Sequence, residues 1–187
     1  MPLAHFSNVR SHYELFEPIY TNLFEINFIL PAILQAENRD PVLMMENATS
    51  VSLPLTPDLQ TASQKFKFSD REFVLTPEKT SIEVEIKFNL NQDTKNAVFI
   101  WNTLKRWYDL AWNSQTGETF YKRDLVGTII VLHHDKKGVV NRRVTYNNCQ
   151  LLGVEGFDLD WGTTGIIEPR NAKWISDFWE DVYIDNV

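Results

Sequence analysis

Ser81-Ile-Glu-Val-Glu-Ile-Lys-Phe88 alternates apolar and charged residues without a break. A two-residue repeat sends Ile82, Val84, Ile86 and Phe88 to one face and Glu83, Glu85 and Lys87 to the other. That is a strand of an antiparallel sheet with one side on a core and one in water. Toward the N-terminus, Asn22–Leu30 repeats the pattern, with Phe24, Ile26, Phe28 and Leu30 opposed to Glu25 and Asn27, and Pro31 ends it. The polar stretch Ala36–Pro41 reads as a turn, and Met44–Leu53 as a strand stopped by Pro54. Residues 54–64 carry two prolines and small polar residues and read as a loop. Lys65–Phe68 and Glu72–Leu75 read as a short hairpin about Ser69-Asp70.

Toward the C-terminus one segment leaves this repeat. From Thr94 to Asn113 the apolar residues fall three and four apart, at Ala97, Trp101, Leu104, Tyr108 and Ala111, flanked by Ile100, Trp107 and Trp112. This predicts a single amphipathic helix, capped by Asp93 or Thr94, whose aromatic face covers a sheet. Trp101, Leu104 and Tyr108 are the expected core contacts. A polar loop around Gly117 follows, then a long hairpin of Val126–His134 and Val139–Tyr146 turned by Asp135-Lys-Lys-Gly138, with Asn147-Asn148 as a bulge or turn. Leu151–Trp161 and Ala172–Val182 are the expected closing strands. Residues 1–21 form either a frayed tail or an arm whose aromatics dock on a neighbour. The expected whole is a single domain over 1–187, mainly β and antiparallel, with one helix.

Composition narrows the function. The 187 residues are 43% hydrophobic and 13% aromatic, enough for a sizeable core and too apolar for wholesale disorder. Net charge is −7, from 18 Lys and Arg against 25 Asp and Glu, which disfavours a nucleic-acid wrapping surface. One cysteine, Cys149, excludes an internal disulfide, points to a reducing compartment and reads as a small buried hydrophobe. The first ten residues lack the apolar core of a signal peptide. The longest apolar run, Phe24–Leu34, is broken by Glu25, Asn27 and Pro31, so no membrane anchor is expected.

Sites of chemistry are not expected. His133 and His134 are adjacent in a strand and point to opposite faces, so they do not share a metal. There is no nucleophile elbow, phosphate loop or dinucleotide fingerprint. Asp158 and Asp160 share a strand face opposite Phe157, Leu159 and Trp161, as on a solvated sheet. We therefore expect no catalytic residue, no cofactor and no metal. The basic hairpin carrying Lys136, Lys137, Arg142 and Arg143 is expected either to grip nucleic acid or, preferably given the net charge, to pair with the acidic C-terminal surface of a neighbouring copy.

Four stretches, in order along nearly the whole chain, resemble the tail tube proteins of contractile-tailed bacteriophages. They are Asn22-Leu-Phe-Glu-Ile-Asn-Phe28; Glu46-Asn-Ala-Thr-Ser-Val-Ser-Leu-Pro54; Ile82–Phe88 with Asn89-Leu-Asn-Gln-Asp93 and the Trp-bearing helix; and Leu159-Asp-Trp161 with Phe178-Trp-Glu180. Leu34–Val42 and Trp112–Asp124 depart from the pattern as insertions. The resemblance implies a β-sandwich or half-barrel with a flanking helix and no enzymatic activity. It implies a virion protein made in the host cytoplasm, whose hexameric rings close a β-barrel and stack into a tube. That tube conducts DNA during ejection without sequence-specific binding, with sheath, baseplate and tail terminator proteins as partners. An acidic lumen would repel DNA phosphates. The alternatives are a tube protein of a type VI secretion or extracellular contractile injection system, a tube initiator at the baseplate, or a monomeric β-barrel that binds a small ligand. Phe6, Tyr13 and Phe16 of the arm are expected to meet the adjacent ring, and the Val126–Tyr146 hairpin to supply inner-barrel strands or inter-ring contacts.

Overall fold

A computed structural model describes residues 22–53, 59–66, 69–77, 81–90, 99–156 and 168–184. In chain order the elements are β1 (Phe24–Ile29), α1 (Ala32–Ala36), α2 (Pro41–Asn47), β2 (Ala48–Ser52), β3 (Leu59–Phe66), β4 (Ser69–Pro77), β5 (Ile82–Phe88), α3 (Phe99–Ala111), α4 (Lys122–Leu125), β6 (Gly127–His134), β7 (Val140–Val154), β8 (Arg170–Ser176) and β9 (Phe178–Tyr183). The protein is mainly antiparallel β, as the alternation predicts.

One seven-stranded sheet runs β1-β6-β7-β8-β5-β2, with β9 added to β7. The long strand β7 belongs to two walls. Its first half pairs with β6 and β9, giving a four-stranded wall β1-β6-β7-β9. Its second half pairs with β8, giving a second wall β7-β8-β5-β2. Between them Asn147 and Asn148 bulge opposite Thr128, and Asn148 takes a left-handed φ of 53°. β9 and the end of β8 follow β7 through this bend in one register, from Arg142↔Tyr183 to Leu151↔Trp174, with Asp177 outside both strands. The buried Ser176 hydroxyl lies 2.7 Å from Asn147 O and 2.8 Å from Phe178 O, and Asp177 receives Lys122 Nζ at 2.7 Å. The bend is thus held by polar contacts that draw on β7, β8, β9 and α4, and it curls one sheet into a half-barrel.

An aromatic cluster fills the inside. Trp174 of β8, fully buried, meets Phe28 of the first wall at 6.3 Å, Phe88 of the second at 6.1 Å and Trp107 of α3 at 5.8 Å between ring centroids. Such pairs add about 0.5–1.5 kcal/mol each beyond area burial. Both walls and the helix therefore share one core. Trp107 Nε1 donates to Leu125 O at 2.9 Å, which ties α3 to the end of α4, just before β6. Gly127 follows: a Cβ there would lie 2.7 Å from Ile29 O and 2.8 Å from the Trp107 ring. Only glycine leaves room for the helix to sit this close.

Several boundaries differ from expectation. Met44–Asn47 is helix, not strand: Asp40 caps α2, its carboxylate accepting from Val42 N at 2.8 Å, and Pro41 fixes the first turn, so only Ala48–Ser52 is strand. β3 begins at Leu59, inside the expected loop, and Ser69 and Asp70 belong to β4, where they pair with Phe66 and Lys65, and not to the turn of the hairpin. Three short helices of four to seven residues accompany the long one among the described residues. In α3 the buried stripe is Ile100, Thr103, Leu104, Trp107 and Leu110; Trp101 and Tyr108 are only half-buried. Leu151–Val154 continues β7 instead of starting a new strand. Residues 1–21, Asp93 and Thr94, and Phe157–Trp161 lie outside the described residues.

Candidate assembly interface

The sheet ends in open edges. β1 pairs only with β6 and β9 only with β7 among the described residues. Neither ladder contains a register shift. β2 and the second half of β7, the open edges of the other wall, are each bulged, at Ala48/Ser50 and at Leu151/Gly153. Bulges are how proteins protect an edge from strand addition, so the two walls differ in readiness to accept a partner.

Apolar side chains collect on the open strands. Phe178 and Tyr183 of β9 are 53% and 68% exposed, Val182 is exposed beside them, and Ile29 of β1 is 51% exposed. Among the described residues β3 and β4 pair only with each other, and every described side chain at Thr61–Lys65 and Glu72–Val74 is exposed, Phe73 and Val74 included. A two-stranded ribbon with both faces in water is marginal by itself. These features suit association better than a solitary existence.

The basic hairpin divides in two. Lys136 and Lys137 sit in the exposed turn, where Asp135 Oδ1 accepts from Lys137 N and Val139 N, both at 2.8 Å. Gly138, at φ 78°, completes that turn. Arg143 points to the open face and reaches Thr145 Oγ1 at 3.2 Å. Arg142 turns to the opposite side. There it meets Asp181 of its own chain through Nε at 2.9 Å and Nη2 at 2.7 Å, and its guanidinium lies 5.0 Å from the Tyr183 ring centre. The acidic partner found for Arg142 is therefore the terminal strand of the same chain, because β9 lies beside β7. This clasp holds Asp181 below the usual carboxylate range, chiefly through the Arg142 hydrogen bond. His133 of β6 pairs in register with Arg142 of β7; burial, then Arg142, then His134 push its pKa down, while Asp181 pulls it up. Phe6, Tyr13 and Phe16 lie outside the described residues.

Cys149 is fully buried, bonded through Sγ to Tyr146 O at 3.3 Å, and burial pushes its thiol up to about 12. His134 lies 3.6 Å from Glu25 and 3.3 Å from Gly138 O. Among the described residues no three His, Cys, Asp or Glu converge as metal ligands, and no helix is long and apolar enough to cross a membrane. A cleft of about 340 Å³ between α3 and β7 is lined by Trp101, Lys105, Tyr108, Leu152, Gly153 and Val154. At its rim Lys105 is paired with Asp109 at 3.0 Å.

No family model and no curated protein matches the sequence. Solved structures match in fold. A chain of the anti-feeding prophage cap, the tube terminating cap, superposes with a TM-score of 0.60 at 12% identity, covering 90% of this chain and 93% of that one. A chain of the sheath-tube complex of an extracellular contractile injection system, PVC, in its extended state, gives 0.57 at 12% identity over 97% and 100%. One from the 6-fold symmetrised anti-feeding prophage baseplate gives 0.57 at 10% over 91% and 99%. The chain therefore shares its fold with chains of the cap, sheath-tube and baseplate assemblies of these contractile particles.

Proposed function

We propose that the protein is a structural subunit of the tube of a contractile particle, without enzymatic activity. Copies join head to tail into hexameric rings, rings stack into a hollow conduit, and sheath, baseplate and terminator proteins are its partners. The observation that carries this is the likeness of fold over at least nine-tenths of both chains to components of cap, sheath-tube and baseplate assemblies. The open edges and exposed apolar strands support it, since a subunit with such surfaces finishes its pairing only in company. Electron microscopy of the purified protein is the test. Six-fold rings or tubes are expected; a compact monomer at every concentration would refute the proposal.

The cargo separates two readings. In a phage tail the conduit passes DNA, and the protein belongs to the virion. The named likenesses lie in injection particles, which favours the second reading: an extracellular particle whose tube delivers something other than a genome. Purified particles settle the choice. Attachment to a DNA-filled capsid supports the phage reading, and free particles lacking nuclease-sensitive contents support the other.

A further inference from the structure

Resting on the tube reading above, we infer that neighbouring copies lock head to tail through a knob and a socket on opposite flanks of α3. The aromatic pair Phe120 and Tyr121 of one copy seats in the cleft between α3 and β7 of the next.

The socket has a helix side and a strand side. Trp101, Lys105 and Tyr108 recur four and three residues apart, so they line one flank of α3, away from its buried stripe. Trp112, whose N–H donates to Tyr108 O at 3.2 Å, prolongs that row by one turn and is 52% exposed. On the strand side the bulge at Leu151/Gly153 leaves Leu152 out of the ladder to β8 and exposed. A Cβ at Gly153 would meet nothing within 4 Å, so this wall of the cleft faces open space. The cleft runs on past Gly153 and Val154 into a hollow of about 470 Å³ bounded by Glu155, Asn171 and Lys173. The bulge that bars strand addition here thus opens a slot for side chains instead.

The knob is held in place before any partner arrives. Asn113 Oδ1 accepts from Gln115 N at 2.9 Å, and Gly117, at φ 71°, donates from N to Asn113 O at 2.8 Å. Phe120 N donates to Leu110 O at 3.1 Å. Leu110 and Arg106, which binds Glu37 at 2.8 Å, lie across the helix from Trp101 and Tyr108. Tyr121, at 75%, is the most exposed large apolar side chain among the described residues, and the Arg123 guanidinium lies 5.5 Å from its ring centre. Tyr, Trp and Arg are the side chains that most often anchor interfaces, and a preformed loop loses little freedom on docking.

A second copy is the occupant that fits. A protrusion on one flank and a cleft on the other make a heterologous contact, the kind that closes rings. The charges match: Glu118 and Arg123 bracket the knob's aromatics in sequence, and Lys105 and Glu155 stand on the helix and strand sides of the socket. Lys105 is bonded to Asp109, but an ammonium has three donors and can take Glu118 as well. Two seated aromatics cover about 300–500 Å² of the roughly 800 Å² per partner that a stable pair needs, so the contact works together with other surfaces. The knob falls in the stretch Trp112–Asp124, which departs from the tail tube pattern, so this lock belongs to the particular chain and not to the fold.

Assembly of surface variants, followed by sedimentation and electron microscopy across concentration, tests the lock. Tyr121→Ala removes an exposed ring, should melt like the parent, and should raise the concentration for half-assembly at least about tenfold. Gly153→Leu has room for its side chain within the chain and fills the cleft, so it should fold and fail to assemble. Glu118→Lys and Lys105→Glu should each weaken assembly, most at low salt, and the two combined in one chain should restore it. Parent-like assembly of Tyr121→Ala and Gly153→Leu, or no restoration in the charge exchange, would overturn the lock while visible rings leave the tube reading standing. Gly153→Leu tubes that form normally but no longer bind sheath protein would assign the cleft to the sheath and overturn the lock too. No rings from the unsubstituted chain would overturn both.

Discussion

Gly127→Ala measures how closely the helix is pressed onto the sheet. The new methyl carbon would lie 2.7 Å from Ile29 O and 2.8 and 2.9 Å from two carbons of the Trp107 ring. Neither neighbour yields easily: one is a strand carbonyl, and the other is a buried ring tied to Leu125 O. Overpacking of this kind costs about 1–3 kcal/mol, and immovable neighbours place it near the top of that range. Glycine's greater freedom in the unfolded chain returns about 0.4–1 kcal/mol. A net loss of about 2 kcal/mol follows, or about 4–8 °C in melting temperature for a chain of this size. The assay is thermal melting at fixed protein concentration, because assembly raises apparent stability. Trp107→Phe makes room, so the double variant should lose about 1 kcal/mol less than the two single losses combined. A Gly127→Ala protein that melts like the parent, or strict additivity with Trp107→Phe, would show that the contact is not tight.

Acid should weaken the end of the first wall. His133 and Asp181 both have folded pKa values below their ordinary ones, so the unfolded chain binds more protons at these sites. Their stabilising effect is complete above pH 6.5, falls as the pH drops below 6.5 through His133, and falls again below 3.8 through Asp181; the melting temperature of His133→Gln should be flatter between pH 7 and 5. Arg142→Ala should cost about 1 kcal/mol after allowance for solvent screening, since the Arg142–Asp181 pair lies near the surface, and should loosen β9 first, visible as faster amide exchange there. Cys149 should resist alkylation until the chain unfolds; rapid native labelling would contradict its burial. Leu104→Asp places a carboxylate at a position 1% exposed and should abolish the cooperative melt; soluble folded rings of that variant would refute the core assignment.

The sequence revealed what repeats and concealed what depends on distant partners. Ile82–Phe88 was legible because it alternates, and its four apolar residues are all buried. The helix stripe was misplaced by one position because Trp101 and Tyr108 are large and apolar, while the buried line runs through Ile100 and Thr103. α2 carried its own signal, Asp40 before Pro41, but seven residues are too short for a helical period to stand out. β3 shows no apolar repeat because its described side chains are all exposed, and burial is what writes the pattern. Asn147-Asn148 reads as a bulge or a turn, and it is the bulge: the chain continues through it as one strand with Asn148 left-handed. At the candidate interface, Lys136, Lys137, Arg142 and Arg143 were visible as a basic cluster. That Arg142 faces inward follows from its pairing with β9, which local sequence does not encode. The unbulged edges of β1 and β9 left no mark at all, because an edge is defined by the neighbour it lacks.

The Trp107–Trp174 contact has an optical consequence. Two indoles 5.8 Å apart and inclined at 63° are close enough for their electronic transitions to mix. The near-ultraviolet circular dichroism of the folded chain should carry a paired, oppositely signed band that vanishes when either tryptophan becomes phenylalanine. Because one indole rides on the helix and the other on the sheet, that band reports docking inside a single subunit and is blind to polymerisation. Light scattering reports the reverse, so the two signals together can time folding and ring growth separately in one cuvette.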